Sequence, residues 1–215
     1  LYPVAYGQFV FDHWELDGMA AGTESNPTLS FWMYSDHDVV VHFGEGVAPP
    51  PVPVVPVGGP AYVGCVLPPG FPSEMKYKGA YADLEFNKDL LKLLAGKASI
   101  YDEENLFTLG GPEVIPHHPW ERYDVKFEGQ TLRIGGMVYE AVFASKDYGV
   151  IYLDCDKMIV RIAGVNRFGT RAALMWALYH PEELDGKLLV AVEWVDFNHD
   201  QLVQDGEIRV IYSLP

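Results

Sequence analysis

The chain has 215 residues, of which 49% are apolar and 21% charged, a composition that builds a full hydrophobic core rather than a disordered chain. Its 30 acidic side chains against 15 basic ones leave a formal net charge of −15, a sign that repels phosphate backbones and excludes nucleic acid as a partner. There is no apolar run of about 18 residues, so no helical membrane span is expected.

Thirteen Tyr, eleven Phe and five Trp beside 21 Gly and 16 Pro favour strands and turns over helices. The chain begins at Leu1 rather than Met, as it would after removal of a secretion signal; a shortened chain is the alternative. Residues 1–47 read as a β-strand-rich segment. Val4 to Leu16 is dense in aromatic and β-branched residues, and Thr28 to Tyr34 and Val39 to Phe43 follow after turn-forming stretches. Within it, Tyr2, Val4, Tyr6, Phe9 and Phe11 form an apolar strand with no close hairpin partner, suited either to its own sheet or to donation into a neighbour's sheet. Residues 48–60 hold prolines too densely for a ladder or a helix and predict a stiff polyproline strut. Residues 61–215 read as an α/β domain, β-rich, with a mixed sheet and few helices; a strut lying along one continuous domain is the alternative organisation.

In that second part the leucines at 90, 91, 93 and 94 predict a helix over Asn87 to Ala95, stopped by Gly96. Strands are expected at Asn105 to Leu109, Tyr123 to Phe127, Thr131 to Ile134, Met137 to Ala144, Val150 to Leu153 and Met158 to Ala163. A helix follows over Thr170 to His180, with Thr170 as N-cap, Ala173, Leu174, Ala177 and Leu178 as its buried stripe, and Pro181 as its stop. Strands Leu188 to Val195 and Glu207 to Ser213 complete the pattern.

One loop carries metal-ligand spacing. In Asp196-Phe197-Asn198-His199-Asp200-Gln201-Leu202-Val203-Gln204-Asp205-Gly206-Glu207, oxygen side chains occupy loop positions 1, 3 and 5 and a Glu occupies position 12. Calcium takes six to eight oxygens, and this spacing supplies Asp196, Asn198, Asp200, the Leu202 carbonyl, Gln204 through a water, and a bidentate Glu207. Position 6, usually Gly, is Gln201, at a cost of about 1 kcal/mol if it is left-handed. A polar turn held by Asx hydrogen bonds is the alternative reading. Gly164 to Thr170 mimics a phosphate loop but lacks its Lys, and a tight strand-to-helix turn accounts for it. His117 and His118 beside Trp120 are read as solvated or packing side chains. Cys65 and Cys155 stand 90 residues apart, so a cysteine-rich zinc site is excluded, while a disulfide in an oxidising compartment and two buried thiols both remain open. No Ser elbow, HExxH or Gly-rich dinucleotide fingerprint occurs, so no catalytic residues are assigned and the chain is read as no enzyme.

Leu106-Phe107-Thr108-Leu109-Gly110-Gly111-Pro112 resembles the strand-to-turn element of archaeal surface-layer proteins. Ile159 to Ala173, with its Ala163-Gly164, Gly169-Thr170 and Arg171-Ala172-Ala173, resembles their element of a strand running into a helix. Together the two cover roughly residues 105–180; Glu113-Val114-Ile115-Pro116 stands where the family usually has Asn soon after the turn. The resemblance implies an archaeal source, export to the cell surface and a structural, non-enzymatic role. The expectation is therefore an extracellular subunit that self-assembles, or joins other surface-layer proteins, into a layer, filament or tube stabilised by calcium. A secreted glycan-binding module using Trp14, Trp32, Tyr34 and Trp120 is the alternative.

Overall fold

The computed structural model describes residues 9–17, 19–21, 39–45, 64–111 and 123–215. The chain divides into two compact units, Leu1–Pro53 and Val54–Pro215, so the division falls inside the proline-rich stretch. That stretch, the strand expected at Thr28 to Tyr34 and the His117-His118-Pro119-Trp120 loop lie outside the described residues.

The first unit contains an antiparallel three-stranded sheet. Its strands are β1 (Phe9–Leu16), β2 (Met19–Ala21) and β3 (Val39–Glu45), in the order β2-β1-β3. Asp17, with φ 52°, makes the turn out of β1, and His42 meets Glu15 across β1 and β3 at 3.1 Å. Residues 9–11 of the apolar strand thus pair within their own sheet, against Glu45, Gly44 and Phe43 of β3; residues 1–8 lie outside the described residues.

The second unit is built on a seven-stranded mixed sheet. Its strands are β4 (Lys76–Gly79), β5 (Gly96–Lys97), β6 (Leu106–Leu109), β10 (Lys146–Asp154), β11 (Ile159–Gly164), β12 (Leu189–Val195) and β13 (Ile208–Leu214). Their order is β13-β12-β10-β11-β6-β4-β5; β5, β4, β6 and β11 run parallel and the others are antiparallel to their neighbours. β6 and β11 are thereby neighbours, with Ile159 to Ile162 in register with Leu106 to Leu109.

Helix α2 (Arg167–Tyr179) covers one face of this sheet, and a meander of β7 (Val125–Glu128), β8 (Thr131–Ile134) and β9 (Met137–Glu140) packs on the other. Alternation along β10 produces the two faces. Gly149 looks onto α2, where an added Cβ would sit 2.1 Å from the Gly169 carbonyl oxygen, while Tyr148 and Tyr152 meet Tyr139 and Tyr123 at 5.3 and 5.4 Å between ring centroids. Leu106, Phe107, Ile151, Leu153 and Trp194 are completely buried in this core.

Two elements differ from expectation for identifiable reasons. The helix expected over Asn87 to Ala95 is instead α1 (Tyr81–Phe86) followed by a single 3-10 turn at Leu90–Leu93. Asn87 ends α1, its backbone N–H and its side-chain amide both donating to the Asp83 carbonyl at 3.1 and 2.8 Å. Beyond the turn, Ala95 donates to the Met75 carbonyl at 2.9 Å, drawing Leu94 into the sheet layer and leaving Leu93 exposed. Second, α2 begins at Arg167, one turn ahead of the expected Thr170, and Thr170 is buried inside it.

The early start of α2 has its cause on a neighbouring strand. Asn166 occupies the N-cap position without a side-chain cap. The carboxylate of Asp147 on β10, fully buried, supplies the acceptors instead: Oδ1 takes the N–H groups of Tyr148 at 2.8 Å and Asn166 at 3.1 Å, and Oδ2 takes that of Gly169 at 2.8 Å. Burial pushes the Asp147 pKa up, and the amides of Gly169, Tyr148 and Asn166 pull it partly back. Glycine at 149, 164 and 169 lets the helix approach closely enough for these bonds; a Cβ on Gly164 would lie 2.1 Å from the Thr170 nitrogen.

The cysteines are joined: Cys65 and Cys155 form a disulfide that links the stretch bridging to Lys187 with the end of β10 across 90 residues of sequence. Closing a loop of that length is worth about 4–5 kcal/mol in the chain-entropy picture.

Replacing Asp147 with Ala leaves buried amide donors without acceptors and should lower the unfolding free energy by about 2–3 kcal/mol. Asp147→Asn, which keeps one oxygen, should cost less. Urea unfolding of the three proteins checks this; equal midpoints for the wild type and Asp147→Ala would mean that the carboxylate does not hold the helix.

Candidate metal centre

The acidic loop leaves β12 at Asp196 and enters β13 at Ile208, so both ends are set by the sheet. Asp196 donates its N–H to the Ser145 carbonyl at 2.8 Å, tying the start of the loop to the turn that precedes β10. At the far end, a 3-10 turn over Asp205–Glu207 is tied to the C-terminus of α2, where His180 Nε2 meets Asp205 Oδ1 at 2.7 Å.

Between these ties the side-chain oxygens wrap the backbone. Asp196 accepts the N–H groups of Asp200 at 3.2 Å and Gln201 at 3.1 Å. Asn198 Oδ1 accepts that of Asp200 at 2.9 Å, and Asp200 Oδ1 that of Leu202 at 2.7 Å. The Asn198 and Gln204 side-chain amides both donate to Asp200 Oδ2, at 3.1 and 2.7 Å. His199 and Gln201 stand at φ 60° and 59°. Gln201 therefore adopts the left-handed turn that position 6 requires, and the carboxylates of Asp196 and Asp200 offset its cost by collecting the N–H groups that the turn exposes. The Leu202 side chain is exposed while Val203 is buried, so the middle of the loop is anchored by one side chain.

Glu207 completes the set from the other end. Trp194, fully buried and stacked on Phe168 of α2 at 5.0 Å, donates its indole N–H to Glu207 Oε2 at 3.0 Å. Burial pushes the Glu207 pKa up, the Trp194 hydrogen bond opposes this, and the charge of Asp196 pushes it up further. Asp196 is itself only 4% exposed. No described Lys, Arg or His is in ion-pair distance of Asp196, Asp200 or Glu207. A buried and a half-buried carboxylate thus stand near one another with N–H donors but no described cationic side chain in ion-pair distance, an arrangement that a proton or a cation would relieve.

The donor set consists only of oxygen, the hard ligands that suit calcium or magnesium and not zinc. Among the described residues, no three His, Cys, Asp or Glu side chains are grouped about a common metal position; the loop carboxylates face backbone and amide donors. Asp196, Asn198, Asp200, the Leu202 carbonyl, Gln204 and Glu207 all belong to one loop, clamped at both ends. The phosphate-loop-like stretch at Gly164 to Thr170 offers nothing comparable, since its amides are taken by Asp147 and Arg171 is held in a two-bond pair with Asp89 at 2.8 and 2.7 Å. That pairing draws the Asp89 pKa down to about 2. Trp32, Tyr34 and Trp120 lie outside the described residues, as does the side chain of Trp14.

The roles of Asp147 and Trp194 were not legible from spacing. Asp147 lies 19 and 22 residues from two of the amides it holds, and Trp194 lies 13 residues before its Glu207 partner. Compared with protein-family models, curated proteins and solved structures, the chain matches none.

Glu207→Gln removes the charge while keeping an oxygen for Trp194. A carboxylate whose folded pKa is raised penalises the fold above that pKa, and the penalty fades as pH falls toward the ordinary 4.5. In chelator at neutral pH the variant should therefore be at least as stable as the wild type. In calcium the wild type should gain about 2.7 kcal/mol at a hundred times its dissociation constant, and the variant should lose most of that gain. As pH falls through the raised pKa, proton and cation compete for Glu207, so the calcium increment should shrink before the ordinary carboxylate range is reached. Thermal unfolding with and without calcium over this pH range checks both signs; an identical calcium response in the variant would remove Glu207 from the site.

Proposed function

We propose that this chain is an extracellular structural subunit, non-enzymatic, which assembles with its own copies or with other surface-layer proteins into a layer or filament, and that calcium bound by the Asp196–Glu207 loop stabilises it. The observation that carries the proposal is buried Asp196 beside half-buried Glu207, with no described Lys, Arg or His in ion-pair distance of either. A divalent cation there neutralises the pair and closes β12 onto β13.

Three further features support this reading. The Cys65–Cys155 disulfide suits an oxidising, extracellular setting. The surplus of carboxylates, 30 against 15 basic side chains, keeps separate copies apart until divalent ions screen them. The two stretches that resemble archaeal surface-layer proteins are adjacent parallel strands, β6 and β11, and the second leads directly into α2, so the resemblance falls on one contiguous piece of the fold.

Electron microscopy of the purified protein tests the assembly. Ordered layers or filaments are expected in calcium, and dispersed particles after chelation. Dispersed monomers in both media at high protein concentration would contradict the proposal.

A further inference from the structure

The loop that joins β5 to β6 presents Ile100 and Tyr101, each 86% exposed, on a backbone fixed by hydrogen bonds. Asp102 is its hub. Oδ2 of Asp102 accepts the Ser99 N–H at 2.6 Å, Oδ1 accepts the Lys76 ammonium at 3.0 Å, and the Asp102 carbonyl accepts that of Lys78 at 3.3 Å. The Asp102 N–H returns to the Ser99 carbonyl at 3.3 Å, and Tyr101 donates its own N–H to Ser99 Oγ at 3.2 Å. Lys76 and Lys78 both belong to β4, so the loop is fastened to the sheet on either side of Tyr101. The Tyr101 ring itself has no hydrogen bond, ion pair or ring contact among the described residues.

Tyr101 borders a cleft of about 490 Å³ whose other walls are Glu74, Lys76, Asp102, Glu103, Glu104 and Asn105. That volume lies within the roughly 300–1,000 Å³ of small-molecule sites, and every lining residue is a described one. Asn105 takes a left-handed backbone, φ 54°, with its N–H on the Lys157 carbonyl and its carbonyl accepting the Lys76 N–H, both at 3.0 Å. Its exposed side-chain amide, like the Glu104 carboxylate beside it, has no partner among the described residues. A lone exposed tyrosine is ordinary on a protein surface. Here it stands on a fixed frame beside an open carboxylate and an open amide.

The lining chooses among ligand classes. Anions are repelled by Glu74, Glu103 and Glu104. An apolar ligand would strip water from those carboxylates and return no hydrogen bonds. Cations are drawn less strongly than the number of carboxylates suggests, because Asp102 is paired with Lys76 and Glu103 with Lys157, at 3.0 and 3.4 Å. A neutral polyhydroxylated ring suits the whole set: its hydroxyls donate to a carboxylate and accept from an amide, and its C–H face lies on an aromatic ring.

We propose that this cleft binds a neutral sugar unit of a glycan, with its ring face on Tyr101 and its hydroxyls on Glu104 and Asn105. The site lies by β4 and β6, toward the opposite edge of the sheet from β12 and β13, and does not rest on the calcium or assembly reading.

Saturation-transfer NMR on the full chain tests it. The probes are trisaccharides of glucose, galactose, mannose and N-acetylglucosamine, with trilysine and a uronic acid trisaccharide as charged comparisons. At least one neutral trisaccharide is expected to bind, and Tyr101→Ala should weaken that binding by about tenfold. Glu104→Ala should weaken it as well. Tyr101→Phe keeps the ring and Ile100→Ala removes only the equally exposed neighbour, so both should bind as the wild type does. The thermal midpoint of Tyr101→Ala should match the wild type, which separates lost binding from lost fold. Failure of every neutral trisaccharide to bind at millimolar concentration would overturn the inference, as would undiminished binding by Tyr101→Ala. Binding of trilysine or the uronic acid sugar in preference to all neutral ones would assign the cleft to a charged partner and overturn it too.

Discussion

The carboxylate of Asp147 is the constraint from which the second unit follows. It sits on β10, completely buried, and collects amides from its own strand, from the turn after β11 and from the first turn of α2. An isolated carboxylate in that position would cost several kcal/mol; with its acceptors filled it locks the helix to the sheet. The lock works only because Gly149, Gly164 and Gly169 let backbone meet backbone, and any Cβ there would overlap a main-chain atom. The segment that looks like a phosphate loop is thus an anion site filled from within the protein.

The position of the acidic loop follows from the same junction. Fixing the first turn of α2 places Phe168, Phe168 stacks on Trp194, and Trp194 holds Glu207 through its indole N–H. Ser145, two residues before Asp147, receives the N–H of Asp196. The two ends of the loop therefore refer to one rigid corner, and its carboxylates cannot separate to relieve their repulsion without breaking packed contacts. A loop so constrained would have little ordering left to do on binding the proposed cation, in contrast with a flexible acidic tail.

Much of the second unit was legible from residue pattern. The apolar runs at β6, β10, β11 and β12 are buried on both faces, and continuous apolar stretches bounded by turns signal this kind of strand. The stripe of Ala173, Leu174, Ala177 and Leu178 is buried in α2 as its helical spacing implies. The leucine-rich stretch after Asn87 misled, because four clustered leucines satisfy a helix and a single turn drawn into a sheet layer equally well; the deciding bonds run to Asp83 and Met75. The start of α2 was misplaced for a related reason, since Thr170 has the chemistry of a cap but the cap comes from another strand. In the loop, the oxygen spacing and the need for a left-handed residue at position 201 were both visible, whereas the Trp194 clamp on Glu207 was not, because nothing local distinguishes a core tryptophan from one that also donates to a carboxylate.

The claim on which the functional reading turns is that the corner formed by Asp196 and Glu207 takes up one divalent cation. Isothermal titration of calcium into metal-free protein addresses it directly. One site per chain is expected, absent from an Asp196→Asn variant that still unfolds cooperatively. No heat of binding, or the same heat from wild type and variant, would contradict it.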